Sequence, residues 1–132
     1  MKLKNDLVNT DSVASRNSLD ALIEKLEAVE TNRLQKDAKS YYQELESKLE
    51  SSLSKMRKAN LVEVRTHFTQ VSDEFYALVK SFKLGGEQDL YWQYCPMAND
   101  DTGGYWLSTE SEIRNPYFGS MMMSCGEVKE KI

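Results

Sequence analysis

The chain has 132 residues, of which 40% are hydrophobic and 29% charged, and its formal net charge is −4 at pH 7. This is the size and composition of one soluble globular domain, and the scattered basic residues argue against nucleic acid or an anionic membrane surface as partner. No apolar run reaches the roughly 18 to 20 residues of a membrane span, and "MKLKND" is not followed by the apolar stretch of a signal peptide.

The first two elements in chain order are the end of one helix and a complete second helix. In "MKLKNDLVN" the apolar residues Leu3 and Leu7 have helical spacing over about nine residues, too few for a stable isolated helix. We therefore expect this segment to close a first helix that begins further N-terminally. Residues 11 to 29 repeat the helical spacing, with Thr10 or Asp11 as N-cap.

Two longer amphipathic stretches follow. Apolar residues recur at intervals of three and four over residues 34 to 53, which predicts a long helix. Asn60 then heads "NLVEVRTHFTQVSDEFYALVKSF", where Glu63 completes a capping box and a third apolar stripe begins. Gly85 and Gly86 are expected to stop this helix.

These stripes predict a mainly α fold, an antiparallel helical bundle of three long helices plus the N-terminal helix fragment. "DLYWQYC" and "GYWLS" are rich in β-forming residues and predict a hairpin around "PMANDDTGG". "NPYFG" predicts a turn, and "SMMMSCGEV" a short turn or helical piece ending at Gly126. We expect a single domain over residues 1–132, with the bundle in residues 1–86. Residues 87–132, the C-terminal tail, should pack on the bundle.

The candidate chemistry lies in the sulfur-containing side chains of the C-terminal tail. Cys95 and Met97 are two residues apart, and a second sulfur cluster ends at Cys125 and includes Met122. Thiolate and thioether are soft donors that select Cu(I), Ag(I) or similar ions, so these residues are candidate metal ligands. Packing is the alternative, because Met fills irregular gaps in cores and Cys is commonly buried as a small apolar residue.

The two cysteines also allow a third interpretation, a disulfide between Cys95 and Cys125. It would close a loop of about thirty residues and stabilise the fold by on the order of 3 kcal/mol. The bond would also remove both thiolates from any metal site. The disulfide and the metal site therefore compete in the oxidised protein.

His67 is the only histidine of the chain. A lone histidine on a helix is more often a satisfied boundary residue than a ligand, but imidazole suits copper, so His67 is a secondary candidate. The sequence lacks a Gly-rich phosphate loop, a His-Glu-x-x-His motif and a partner set for a nucleophile, which favours a non-enzymatic protein. The aromatic residues of the tail are interpreted as the core that seals it against the bundle.

Three segments of the tail, "YCPMANDDTGGYWLS", "EIRNPYFG" and "MMMSCGEVKE", together carry a resemblance. They resemble the C-terminal half of a bacterial domain of unknown function that occurs in small exported proteins. The same domain occurs as a C-terminal extension of periplasmic adaptor subunits of copper/silver efflux pumps. Upstream, "HFTQVSDEFYALVKSF" is similar to the last long helix of that family and "LKNDLVNTD" to the close of its first.

This resemblance implies a periplasmic or otherwise extracytoplasmic location and a role in binding copper or a related metal. The Cys-Pro-Met of the family corresponds to Cys95, Pro96 and Met97, and its later Met and Cys correspond to Met122 and Cys125. Two hypotheses follow. The first is a non-enzymatic envelope protein that holds Cu(I) or Ag(I) through these sulfurs. The second is a structural or interaction module whose tail docks on an efflux adaptor or another envelope protein.

Overall fold

The structure is a computed structural model, and it describes residues 1–84 and 86–132. The helices come first along the chain and the strands last, which confirms the predicted mainly α fold with a small C-terminal β region. In the described residues the elements are α1 (Lys2–Val8), α2 (Ser12–Glu27), α3 (Lys36–Lys58), α4 (Leu61–Phe82), β1 (Tyr91–Cys95), the single turn α5 (Ala98–Asp101), β2 (Gly104–Ser108) and β3 (Glu127–Lys131).

The helices begin where the sequence places their caps. The Asp11 carboxylate accepts a hydrogen bond from the Ala14 N–H at 2.8 Å, which satisfies one of the free donors at the start of α2. At the start of α4, Asn60 and Glu63 form the predicted capping box, each side chain accepting from the backbone N–H of the other. Both predicted N-caps are confirmed.

α4 ends where the predicted apolar stripe ends, at Phe82. The helix ends at Phe82 because Lys83 takes the left-handed conformation at φ 52°, and the N–H groups of Lys83 and Leu84 both donate to the Val79 carbonyl. This is the usual way of closing a helix, but here a lysine holds the position that favours glycine. The predicted stop by glycine differs only in the residue that takes the left-handed conformation, which is Lys83, and Gly85 lies outside the described residues.

The long helices share one apolar core. α3 packs against both α2 and α4, and α1 packs against α2. Fully or nearly fully buried apolar side chains from each helix fill the space between them, among them Leu7, Leu19, Leu49, Leu53, Val64 and Phe68. Their spacing of three and four residues is the pattern that predicted the helices.

No helix in residues 1–84 and 86–132 combines the length and the apolar character that are needed to cross a membrane. α3 and α4 have 23 and 22 residues, so their length alone would suffice. Their polar faces carry charged residues throughout.

The predicted hairpin is confirmed, and a third strand joins it. β1 and β2 pair antiparallel, with Cys95 opposite Gly104 and Tyr91 opposite Ser108. β3 pairs antiparallel with the other edge of β1, so the order is β2-β1-β3. The sequence predicts no strand after Gly126, because "EVKEK" is mostly charged and lacks a buried face. Charged residues of this kind are typical of an edge strand that is protected from further pairing.

Candidate functional site

The candidate site is built around Cys95 at the end of β1. Its side chain is fully buried and forms a disulfide with Cys125, with the two Cα atoms 5.8 Å apart. That separation lies within the usual range for a disulfide. Of the interpretations left open by the sequence, the structure has the disulfide, and in this form neither cysteine offers a thiolate to a metal ion.

The methionines of the predicted set lie on the two segments that the disulfide joins. Met97 is half exposed in the turn directly after β1. On the other segment, the Met122 carbonyl accepts a hydrogen bond from the Cys125 N–H at 3.1 Å. Met121 is more exposed, at 74% of its surface, and lies in the 3-10 turn Gly119–Met121. The structure thus brings Cys95 and Cys125 together and places Met97 and Met122 close to them along the chain.

His67 does not lie on the side of α4 that meets the C-terminal tail. Thr69 contacts the tail through Asn99, whose amide donates to the Thr69 hydroxyl at 2.6 Å. Arg65 contacts it through the Pro116 carbonyl at 3.0 Å. His67 is two residues from each, and a two-residue step turns a helix by roughly 200°. His67 therefore points away from the tail and from the disulfide.

Asn115 holds the disulfide-bearing turn in place. Its side chain is completely buried, donates to the Cys125 carbonyl at 2.8 Å, and accepts from the N–H groups of Tyr117 and Phe118. Its own N–H donates to the Met123 carbonyl at 2.9 Å. The sequence analysis gave Asn115 only as part of the "NPYFG" turn, and the Asn-Pro step was the one signal that marked it.

A second buried polar group joins the strands to the loop after β2. Gln93 is fully buried and accepts a hydrogen bond from the Trp106 indole N–H at 2.6 Å. The Gln93 amide donates to the Glu110 carbonyl at 2.9 Å and also approaches two carbonyls that follow. Because buried amides and indoles are costly unless paired, this arrangement fixes the loop against the sheet.

Arg65 and Gly119 form the junction between the tail and the start of the chain. The Arg65 guanidinium donates to the carbonyls of Leu7 and Pro116 and to the Thr10 hydroxyl. Partial burial lowers the pKa of Arg65 from its ordinary value. Gly119 has φ 57°, and a Cβ there would lie 2.9 Å from the Val8 carbonyl oxygen, so the contact requires glycine.

Four aromatic rings lie in a row from α4 across both hairpin strands, of which the first three are stacked and the fourth is tilted. The ring centroids of Tyr76 and Trp92 are 4.3 Å apart, those of Trp92 and Tyr105 are 5.1 Å apart, and Tyr105 is followed by Tyr94 at 4.4 Å. Tyr117 packs on Phe68 of α4, and burial raises its pKa well above the usual range of a phenol. The aromatic residues seal the tail against the bundle, as expected.

The titratable side chains of the described residues form no metal cluster of the common type. In residues 1–84 and 86–132 no three His, Cys, Asp or Glu side chains converge so that they could hold a metal ion. Methionine is not among these four residue types, although its thioether sulfur belongs to the predicted ligand set.

Together these features define a small, mainly helical domain that carries a disulfide-closed β cap. The model of a family described as "Protein of unknown function (DUF3347)" matches residues 1–87, well over half of the chain. The chain belongs to this family. The match covers α1 to α4 and ends before β1, so the Cys and Met motifs lie outside it. Comparison with curated proteins and with solved structures gives no match.

Proposed function

We propose that the protein is a non-enzymatic interaction module of the bacterial cell envelope, in which the disulfide-closed tail is a rigid cap on the helical bundle. The partner is an envelope protein such as a periplasmic adaptor of a heavy-metal efflux pump. The resemblance of the tail motifs supports the kind of partner. The disulfide between Cys95 and Cys125 is the observation that carries the proposal.

The disulfide supports an extracytoplasmic location because such bonds form and persist in oxidising compartments, whereas the cytosol keeps thiols reduced. It joins residues 30 apart in the sequence and connects β1 to the turn before β3. A bond in that position restricts the whole sheet. The tail is thereby suited to present a fixed surface.

The polar groups of the tail support a structural role over a catalytic one. The side chains of Asn115, Gln93 and Trp106 are fully buried, and they bond to the chain around them. The Tyr117 hydroxyl donates to the Tyr105 carbonyl at 2.6 Å. These groups are occupied in fixing the loops and do not converge on a space that a substrate would enter.

Thiol titration of protein recovered from the envelope tests this proposal. We expect a maleimide reagent to label no cysteine before reduction and two after it. Cytosolic expression of the same chain, which keeps thiols reduced, provides the control for reagent access. Two free thiols in the envelope sample would overturn the proposal.

We also propose a second candidate function, the binding of Cu(I) or Ag(I) by the reduced protein. It is favoured by one observation, the convergence of Cys95 and Cys125 with Cα atoms 5.8 Å apart. The residues fit a soft ion only after reduction. A dithiol reductant would transfer two electrons and two protons to the cystine and become a disulfide itself. The thiols of Cys95 and Cys125 would then release their protons to solvent and bind the ion as thiolates, with Met97 and Met122 as thioether donors.

An anaerobic Cu(I) titration against the chelator bathocuproine disulfonate tests this second function. We expect the reduced protein to compete for one ion per chain and the oxidised protein not to compete. Met97→Leu and Met122→Leu should each weaken binding, whereas Met121→Leu and His67→Ala should not. Equal affinity in all four variants would show that the thioethers are not ligands.

A further inference from the structure

The two cysteines of the disulfide differ in how far solvent can reach them. Cys95 leaves none of its surface exposed and belongs to the apolar core. Cys125 is partly exposed and packs at the edge of the same core. Thiol–disulfide exchange begins when a thiolate attacks one of the two sulfurs, and its rate depends on access to the sulfur that is attacked. The bond is therefore open to attack from the side of Cys125.

Cys95 is enclosed because the end of the hairpin is closely covered. Cys95 pairs with Gly104 of β2, and a Cβ on Gly104 would lie 2.7 Å from the Tyr117 ring and 2.9 Å from the Ala98 Cβ. Ala98 and Tyr117 are themselves buried in the core to which Cys95 belongs. There is no room between these groups for a reagent to approach the Cys95 side of the bond.

Cys125 lies in a turn that is open to solvent and is held by backbone groups. Ser124 before it is exposed, and Gly126 after it is partly exposed. The Asn115 side chain donates to the Cys125 carbonyl at 2.8 Å, and the Asn115 N–H donates to the Met123 carbonyl at 2.9 Å. These hydrogen bonds do not involve sulfur, so they hold Cys125 beside Cys95 when the disulfide is open.

We propose that Cys125 is the site at which an external thiolate attaches to the protein, and that Cys95 is the buried thiol that resolves the mixed disulfide. The proposal deepens the proposed function, since it concerns how the bond that closes the cap is made and opened. The reacting partner is defined by its chemistry, a thiolate that can reach a partly exposed sulfur in a turn.

Opening of the bond takes two exchange steps. In the first, the external thiolate bonds to the Cys125 sulfur and the bond between the two cysteines breaks, so Cys95 leaves as a thiolate. In the second, another thiolate attacks the external sulfur that is now attached to Cys125. That attack forms the disulfide of the reagent and releases Cys125 as a thiolate. The cystine gains two electrons, the reagent loses two, and the cysteines take up protons from water.

Closing of the bond uses the same two residues in reverse. The Cys125 thiolate attacks the disulfide of an oxidised reagent and forms the mixed disulfide, with the other half of the reagent leaving as a thiolate. Cys95 then loses its proton and attacks the Cys125 sulfur, which expels the remaining thiolate. Because Asn115 holds the turn beside β1, this second step is intramolecular between groups that are already close.

Mapping of the mixed disulfide in the unchanged protein tests the proposal. The oxidised full chain is mixed with excess glutathione, exchange is stopped with acid at early times, and the released thiol is alkylated with a maleimide in denaturant. We expect mass spectrometry of peptides to find glutathione on Cys125 and maleimide on Cys95 at least about ten times as often as the reverse. Equal amounts of the two products, or an excess of the reverse product, would overturn the proposal.

Two single variants measure access to each thiol separately. Cys95→Ser leaves only Cys125 and Cys125→Ser leaves only Cys95, so both lack the disulfide. Towards a chromogenic aromatic disulfide, the Cys125 thiol should react at least about tenfold faster than the Cys95 thiol in native buffer. In urea the two rates should be equal. Equal rates in native buffer contradict the proposal where tryptophan fluorescence shows a folded tail, and where it does not, the mapping in the unchanged protein decides.

The outcomes separate this proposal from the proposed function. Free thiols in protein recovered from the envelope would overturn the proposed function alone, because exchange at the disulfide of the oxidised protein would be unaffected. Equal attack at the two sulfurs of the oxidised protein would overturn the assignment of Cys125 alone, because the closed cap would remain.

Discussion

The helical bundle and the C-terminal tail bury different kinds of side chain. The fully buried residues of the bundle are mostly aliphatic, such as Leu19, Leu49 and Leu53. Those of the tail include Gln93 and Asn115, together with Trp106 and the disulfide-bonded Cys95. The bundle therefore gains its stability from apolar surface that leaves water, whereas the tail also depends on hydrogen bonds and a covalent bond.

Because of this difference, we expect the two regions to respond to different changes. Apolar packing tolerates exchanges that keep the side-chain volume, whereas a large-to-small exchange leaves a cavity. A buried hydrogen-bond group is less tolerant, since loss of one partner leaves the other unsatisfied away from water. Both tryptophans lie in the tail, so their fluorescence reports on the tail, while far-UV circular dichroism reports mainly on the helices.

The largest effect is expected from removal of the disulfide. Replacing Cys95 and Cys125 together with Ala should lower the free energy of unfolding of the tail by roughly 3 to 4 kcal/mol, because the unfolded chain gains the freedom of a loop of this length. Urea denaturation of the oxidised protein and the double variant measures the change. Tryptophan fluorescence should then change at lower urea than circular dichroism.

Coincident transitions in both proteins are the outcome that contradicts this prediction. They would mean that the tail and the bundle unfold as one unit even without the disulfide. The control is the unchanged protein in a dithiol reductant, which should behave like the double variant.

A smaller loss is expected from Asn115→Ala. The change removes the donor to the Cys125 carbonyl and the acceptor for the Tyr117 and Phe118 N–H groups. Because these groups are largely buried, we expect a loss of roughly 2 to 3 kcal/mol in the free energy of unfolding. Urea denaturation followed by tryptophan fluorescence measures it.

Asn17→Ala is the matched control, since Asn17 is exposed on α2. Its effect should stay within about 0.5 kcal/mol. Equal effects of the two substitutions would show that Asn115 does not hold the tail.

The helices of the bundle were predictable because the residues that determine each helix lie close together in the sequence. A stripe of apolar residues at intervals of three and four fixes a helix, and Asp11 and Asn60 are side chains that cap the residues just after them. The end of α4 was placed correctly, but nothing local shows that Lys83, and not a glycine, takes the left-handed conformation there. The hairpin was also predictable, because β1 and β2 have strong β-forming residues and a short connection.

The candidate site was only partly predictable, because the residues that bond to one another there are distant in the sequence. Cys95 and Cys125 could be named as a pair by their chemistry, but the sequence left a disulfide and a metal site open. Gln93 accepts from Trp106, and Asn115 binds the Cys125 carbonyl, at separations that no periodic pattern reveals. β3 was missed for the same reason. Its strand conformation depends on pairing with β1, and its own composition does not indicate a strand.

Asn60→Ala should lower the free energy of unfolding by about 1 kcal/mol. Asn60 is an asparagine of the bundle that, like Asn115 in the tail, accepts from backbone N–H groups, but Asn60 is exposed. Its side chain accepts from the N–H groups of Val62 and Glu63 at the start of α4, and water can replace these bonds in part. Thermal unfolding followed by circular dichroism measures the change. Glu63→Gln keeps an acceptor for the Asn60 N–H and should have a smaller effect than Glu63→Ala.

The smallest effect concerns the contact between α4 and β3, which joins the two regions, and it depends on pH. Glu130 accepts from the Lys80 ammonium and from the Tyr76 hydroxyl, and these two hydrogen bonds lower its pKa from the usual value of a glutamate. A folded-state pKa below the unfolded value means that the contact stabilises the protein above the usual glutamate pKa. That stabilisation is lost as the pH falls through the folded value. Glu130→Gln should therefore be less stable than the unchanged protein at pH 7, and the difference should be smaller at about pH 3, because the stabilisation decreases as the pH falls below the usual glutamate pKa and towards the lower folded-state value. Because the pair is exposed, added salt should reduce the difference at pH 7. Urea denaturation of both proteins at the two pH values measures it, and a difference that does not change with pH would show that the charge of Glu130 is not what joins α4 to β3.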